Sequence, residues 1–566
     1  MVGQMSFQDR QSDERAGSLL LPILISIGIA LFLMTLMPTT QFWDRDEGYY
    51  ARVAVEMTRS GNWILPTYND AVFPDKPPLI YWLMAVFMRI FGENEFGARF
   101  VSAPATAFSS FIIFLIGNRL FSRKAGLYAM LAFASSTLTI YLGITAMLDA
   151  LLVAFICLTL WIYLTILQSP ERFWLKALAF GLSLGFAMLT KGPVGPAIVV
   201  PCVALTWFFL PGNDRPAFSR MVVLAVATIL GFGMLLAWEI PANSMSNDEM
   251  VIGGFGVHVI GRALAPMQSH GGSGLWGYLA TLPAYVPVIL IGFMPSTLFL
   301  PSLLSALWRK TGVQPLPRLF LLTWMVPGFI LFSLAATKLP HYMEPLFPPM
   351  ALGVGALIAG HLNAGTRSRN IGRWLYIAMI GGLAAALIAA MTFARDGIVL
   401  AALAVGVIVV LGFGFRISLA QRKGQYETAL SVAVVSVLLL MEPLFLIVIP
   451  RLETVVKVSK PIAELIRADV KPGTPVFDAG YLEPSLVFYL GWPVDSPIRD
   501  LDMGADGLKT FLESPGERVV VATQDDFETI QAADTHKRLE KLGSFAAWNT
   551  NASSKFQVVV VARVKP

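Results

Sequence analysis

The sequence predicts a polytopic α-helical membrane protein that carries a C-terminal soluble α/β domain, and three observations predict it. Charged residues make up 14% of the 566 and apolar ones 55%, whereas soluble domains are roughly a quarter charged. The apolar residues fall into runs of membrane-spanning length, separated by short loops in which Lys and Arg recur. From about Arg451 the chain becomes charged and soluble in character, with no further run of that length.

Thirteen spans are expected, near 19–37, 100–118, 125–142, 146–167, 174–190, 193–210, 221–241, 279–304, 317–335, 344–360, 372–392, 398–415 and 428–449. The first is long and lacks a cleavage site, so it reads as a retained helix rather than a signal peptide. The run 79–91 is too short to cross a bilayer and reads as a helix in the interface. Every second connection is basic: Arg119, Arg123 and Lys124; Arg172 and Lys176; Arg215 and Arg220; Arg309, Lys310 and Arg318; Arg367, Arg369 and Arg373; Arg416, Arg422 and Lys423. The short connections between them carry one base at most, so the basic set is cytoplasmic. The N-terminus is then inside, and the C-terminal domain outside.

Two regions follow, a membrane domain over 1–450 with external loops 38–99 and 242–278, and a soluble domain over 451–566. In the latter TPVFDAG, RVVVAT and FQVVVVARV read as buried strands. SKPIAELIRADV, with Ser459 as cap, and DDFETIQAAD read as helices. No phosphate loop, metal spacing or nucleophile elbow occurs in it, so a structural role is expected. The net charge of +5 is spread as topology signals, which excludes a nucleic-acid partner. Cys157 and Cys202 both lie in apolar runs and offer neither a disulfide framework nor a metal site.

The polar stretch 43–78 is the densest near the membrane. It gathers Asp44, Asp46, Glu47 and Asp75 with Arg45, Arg52 and Lys76, flanked by Trp43, Trp63 and Trp82. The same side receives Asp149, Lys191 in TKGPVGP, a loop with His258, Arg262 and His270, and the turn TKLPHYMEP with Lys338, His341, Tyr342 and Glu344. Lysines in base-poor external turns run against the topology bias. Snorkelling explains either Lys191 or Lys338 alone, but with Lys76 and Arg262 on the same side they suggest a phosphate site. For Asp46 and Asp149 the plain alternative is capping or pairing with a base. His270, in SHGGSG, reads as part of a mobile lid, and His361 as a solvated residue of a cytoplasmic turn. Cations at headgroup depth would hold a lipid-linked phosphate and stabilise the charge it gains as a leaving group. Carboxylates would orient a nucleophile or stabilise a cationic sugar carbon. The spacing leaves open which group is transferred.

W-x-x-D-E-x-x-Y-A, M-x-x-S-G-x-W and F-x-D-K-P-P-L-x-Y-W follow the first span. LD at 148–149, M-x-x-K-G at 188–192, H-x-x-x-R at 258–262 and K-x-P-x-Y at 338–342 come later. In these motifs, over the whole chain, the sequence resembles the GT-C membrane glycosyltransferases. In particular it resembles the branch, related to protein O-mannosyltransferases, that holds the bacterial 4-amino-4-deoxy-L-arabinose (Ara4N) lipid A transferases. The resemblance implies a GT-C fold in the bacterial inner membrane, with a periplasmic C-terminal domain. It implies an undecaprenyl-phosphate-linked sugar donor, a lipid A acceptor and contact with membrane lipids. Asp46 and Asp149 are then the main acidic residues, with Glu47 beside the first. Lys76, Arg262 and Tyr342 are expected at the donor phosphate, and Lys191 and Lys338 are further candidates. Relatives often carry Glu before Lys-Pro where Asp75 stands here. That shorter arm changes the geometry with which Asp75 and His258 would hold a divalent ion (Zn, Mg or Mn); no other cofactor is implied. A transferase acting on protein or another glycan is the alternative. A transporter is disfavoured by the absence of an internal repeat and by charges clustered in external loops.

Overall fold

The computed structural model describes residues 18–565 other than 43, 170, 262–263, 265–273, 309–314, 496–511, 535–536 and 550–554. Its apolar runs are helices, because in hydrocarbon each backbone N–H and C=O must be satisfied within its own segment. Among the described residues ten helices are long and apolar enough to cross a membrane, or eleven if one bent pair counts as a span. The chain is a multi-pass membrane protein.

The thirteen expected runs all contain helix, but several are not simple spans. The run 125–142 divides into Arg123–Ala134 and Thr137–Gly143, bent by 68°. At the break the Ser136 hydroxyl donates back to the Ala132 carbonyl at 2.8 Å, a side-chain bond that competes with the helical ladder. The run 279–304 divides into an apolar span Gly274–Gly292 and a shorter helix Ser296–Trp308, with Pro295 at the division, where no backbone N–H is available. The run 344–360 keeps α-helix only over Phe347–Ile358, after a 3-10 segment Pro340–Leu346. Proline at 340, 345, 348 and 349 accounts for that start. The 16-residue helix Val194–Phe209 and the 13-residue helix Leu79–Phe91 are also short of full spans.

The external loop 38–99 is ordered. Its helix Asp44–Ser60 leads to a hairpin of β1 (Thr67–Tyr68) and β2 (Ala71–Val72). Asn69 and Asp70 turn this hairpin with φ of 56° and 62°, the left-handed pair that a two-residue loop demands.

The C-terminal sheet runs β3-β4-β6-β5, formed by β3 (Val476–Ala479), β4 (Arg518–Thr523), β5 (Leu539–Asn549) and β6 (Lys555–Val564). β3 and β4 are parallel and the other pairs antiparallel. Alternation sorts the side chains: Val520, Ala522, Val560 and Ala562 pack with Phe527 and Ile530 on one face, while Val519, Val521, Val559 and Val561 join the main core on the other. β5 is an edge strand that the sequence did not signal, because LEKLGSFAAWN mixes charge, Gly and small residues. Ser459 is not a cap. The helix Ser459–Asp469 starts with it, Val458 holds the cap position, and the Ser459 hydroxyl is bonded to Tyr481 and Ser485.

This domain grips the 38–99 loop. The Phe42 N–H donates to Tyr489 Oη at 2.9 Å, and Arg59 donates to the Gly491 carbonyl at 2.6 Å. Asn69 and Val494 exchange two bonds of 2.6 and 2.8 Å. Gly48 lies so close to the helix Pro484–Leu490 that a Cβ there would meet the Ser485 nitrogen at 2.7 Å. The helix that carries Asp46 is therefore seated on the soluble domain.

Candidate functional site

A cavity of about 560 Å³ opens where the 38–99 loop meets the ends of several membrane helices. Pro74 to Pro77 form one edge, and Asp149 enters as the first residue of the helix Asp149–Gln168. Lys191 is the last residue of Phe173–Lys191, and Gly192 then turns the chain with φ of 59°, a region that favours glycine. Tyr342 comes from the proline-rich segment before Phe347–Ile358.

Two ion pairs face this space. Lys191 Nζ lies 2.6 Å from Asp149 Oδ1, with the side chains 8% and 1% exposed, and sits 5.1 Å from the centre of the Tyr342 ring. Lys76 Nζ lies 2.7 Å from Asp75 Oδ1. Asp149 Oδ2 is buried and has no hydrogen-bond partner among the described residues. Lys76 and His341 are close enough to Asp149 to act on its charge. Leu152, Leu235, Trp238, Leu331 and Phe332 line much of the remaining space. Each ammonium thus has one carboxylate beside it in an apolar setting, and the second Asp149 oxygen lies buried beside that pair. An anionic group entering here meets two cations and an apolar surface for an attached chain.

Five of the expected site residues therefore meet at one place: Asp75, Lys76, Asp149, Lys191 and Tyr342. Asp46 is half-buried on the helix Asp44–Ser60 and lies outside the cavity wall. Glu47, expected among the catalytic acids, is instead 1% exposed and locked to Arg99 by bonds of 2.8 and 2.9 Å. It also accepts the Ala146 N–H at 2.6 Å. Its acidic charge is consumed in joining the loop to the helix ends. Lys338, expected at the phosphate, donates to the carbonyls of Phe332, Ser333 and Ala335 and lies 5.7 Å from the Tyr278 and Tyr285 rings. It closes the C-terminus of the helix Pro315–Leu334, where unpaired carbonyls and the helix dipole attract a cation. Arg262 and His270 lie outside the described residues, as does the side chain of His258.

The divalent site implied for Asp75 and His258 meets a competitor. Asp75 Oδ1 already holds the Lys76 ammonium, and among the described residues no three His, Cys, Asp or Glu groups converge. These residues do not by themselves fit a metal ion. The sequence reading missed Glu239, a wall residue of the cavity. Its signal was available: it is the one acid in the 28-residue apolar helix Phe218–Met245, and ionisable groups within such helices are costly to keep. Glu344 is 2% exposed, accepts from the Thr139 hydroxyl at 2.8 Å, and has its second oxygen without a hydrogen-bond partner among the described residues.

Comparison with known proteins agrees with this architecture. A family model described as dolichyl-phosphate-mannose-protein mannosyltransferase matches residues 75–238. The undecaprenyl phosphate-alpha-4-amino-4-deoxy-L-arabinose arabinosyl transferase 2 of Proteus mirabilis is 29% identical over 338 residues, covering 58% of this chain and 58% of that protein. The corresponding arabinosyl transferase of Aeromonas salmonicida is 29% identical over 364 residues, with 62% of each chain covered. The chain thus spans about three fifths of the length of these curated relatives. The crystal structure of ArnT from Cupriavidus metallidurans bound to undecaprenyl phosphate superposes with a TM-score of 0.74. It covers 96% of this chain and 98% of that one, at 21% identity. The fold is the GT-C fold that the motifs implied, with a C-terminal sheet-containing domain.

Proposed function

We propose that this chain transfers 4-amino-4-deoxy-L-arabinose from undecaprenyl phosphate to a phosphate of lipid A. The reaction takes place at the periplasmic face of the bacterial inner membrane, with the N-terminus cytoplasmic and the C-terminal domain periplasmic. The observation that carries this reading is the pair of carboxylate-held lysines, Lys76 and Lys191, on one apolar-walled cavity at the helix ends. The names of the similar proteins supply the sugar and the lipid.

In this mechanism the donor phosphate lies against Lys76 and Lys191, with Tyr342 beside it, and the polyprenyl chain follows the apolar wall. The bond from the sugar C1 to the donor phosphate oxygen breaks, and its electron pair leaves with undecaprenyl phosphate, whose growing charge the lysines stabilise. An oxygen of the acceptor phosphate forms the new bond to C1. That acceptor is already anionic near neutral pH, so a strong general base is not required. Asp46, which stands outside the wall of this cavity, orients the reacting groups or stabilises the cationic sugar carbon where the sugar extends beyond that wall. With a protein hydroxyl as acceptor, a reading favoured only by the description of the matching family model, Asp46 becomes the base.

Mass spectrometry of lipid A from cells lacking the protein tests the assignment. The aminoarabinose adduct is expected to disappear, to return with the wild-type chain, and to stay absent with a normally expressed Lys76→Ala. Lipid A that is unchanged throughout overturns the proposed substrate. A zinc, magnesium or manganese ion on Asp75 and His258 would have to displace Lys76 from its carboxylate. Turnover of the purified protein is accordingly expected to stay within about twofold after chelation and to be insensitive to metal re-addition; a drop of about tenfold restored by one of these ions reverses that expectation.

A further inference from the structure

A second cavity of about 720 Å³ lies between the helices Asp149–Gln168 and Phe173–Lys191, towards the ends remote from the candidate active site. Asp149 and Ser169 are separated by nearly the whole of the first helix, about 30 Å at 1.5 Å per residue. The end of this cavity at Ser169 and Lys176 therefore sits at the opposite face of the membrane from Asp149. The wall here is apolar, made mainly by Phe155, Leu158, Trp161, Leu182 and Phe186. Leu182 and Phe186 are 39% and 38% exposed on the outer surface of the bundle, so the cavity is reached from the lipid side.

Its polar end is basic. Lys176 Nζ donates to the carbonyls of Thr165 at 3.3 Å and Ser169 at 2.6 Å, which leaves part of its donor capacity for a ligand. Arg119 lines the same end, its Nε donating to Gln168 Oε1 at 2.5 Å. Glu171 and Arg172 lie in the short connection that joins the two helices. Two bases and an open apolar trough match a molecule with a phosphate at one end and a hydrocarbon chain at the other. Basic loops that serve only as topology signals need neither the trough nor this convergence upon it.

We propose that this cavity binds one membrane phospholipid of net negative headgroup, with its phosphate on Arg119 and Lys176 and an acyl chain along the Phe155–Phe186 wall. A zwitterionic phospholipid brings its own cation to the same headgroup and gains less. The site is independent of the transfer reaction and lies on the face that the loop charges mark as cytoplasmic.

Native mass spectrometry of the full-length protein, released from mixed phosphatidylglycerol and phosphatidylcholine nanodiscs, tests the proposal. Wild type is expected to retain one phosphatidylglycerol with at least fivefold preference, and Arg119→Ala/Lys176→Ala to retain both lipids alike. Lys176 also closes a helix end, so Leu182→Trp, which blocks the trough while leaving the bases in place, serves as a second variant and should lose the bound lipid. Equal retention of the two lipids by wild type overturns the proposal, as does a preference undiminished in both variants. Protection of the wild-type fold by inorganic phosphate equal to that by phosphatidylglycerol also overturns it, because the site would then be a simple anion site.

Discussion

Asp149→Asn is expected to lower turnover of the purified protein about 10²- to 10³-fold, the scale seen when one preorganised charge-stabilising group is removed from an active site. The carboxylate is 1% exposed and holds Lys191 at 2.6 Å. Asparagine keeps the shape but removes the charge, leaving a nearly buried ammonium without its counterion. That ammonium then loses its position, and the cavity loses one of its two cations. Breaking such a pair from one side costs about 3–5 kcal/mol, whereas replacing both partners with apolar residues is often close to neutral. The double variant Asp149→Leu/Lys191→Met should therefore recover most of the lost thermal stability while its turnover stays lost. Near-normal turnover in Asp149→Asn, or recovered turnover in the double variant, would reduce the pair to a structural brace.

Glu47→Gln is expected to act in the opposite pattern, with a loss of about 3–5 kcal/mol in stability and little selective effect on the chemical step. Arg99 lies against Glu47 in a bidentate pair and also donates to the carbonyls of Met37, Thr40 and Gln41. Its guanidinium stands 5.4 Å from the Phe42 ring centre. Removing one charge leaves the other buried and unbalanced at the joint between the first span, the external helix and the turn before Asp149. Burial alone would raise the Glu47 pKa, but the Arg99 guanidinium outweighs it and holds the carboxyl below its ordinary 4.5. A folded pKa below the unfolded one gives stability that is present above about pH 4.5 and is lost as pH falls through the folded value. The wild type should therefore lose this contribution in acid, and Glu47→Gln should show a flatter profile there. Thermal melts in detergent across pH 3–7, read beside turnover, check both points. A variant with an unchanged midpoint and greatly reduced turnover would return Glu47 to the catalytic acids.

Asp149, inside the expected span 146–167, and Glu47, in the polar stretch 43–78, were both read as acids of the outer face, and they show where sequence reading stops. It located the external loop 38–99 by its density of charge and the lysine of TKG because it breaks a local rule, while the lysine of DKPP and the tyrosine of KLPHY came from the motifs of the resembling family. A lysine in a base-poor turn is visible against its neighbours. It did not reveal that Glu47 is spent on Arg99, since the partners lie 52 residues apart and several bases were within reach by composition. Nor did it reveal that Lys338 turns back onto the end of the preceding helix; the backbone carbonyls it meets carry no signature in the sequence. Glu239 could have been found, as a lone acid in an apolar helix, but only the packing makes it a wall of the cavity.

The sequence by itself determined the class of the molecule, the spans with unbroken apolar runs and the α/β pattern of the final domain. These follow from hydrocarbon solvation and from side-chain period, both of which act locally along the chain. It also determined which residue types are present for phosphate chemistry. The tertiary structure alone decided the bend at Ser135–Ser136, the edge strand β5 and the seating of Asp44–Ser60 on the soluble domain. It also decided which of several equivalent charges face the cavity and which are consumed as braces. That choice depends on which distant helix ends meet, and a buried charge is held by whichever partner the fold brings within 3 Å of it.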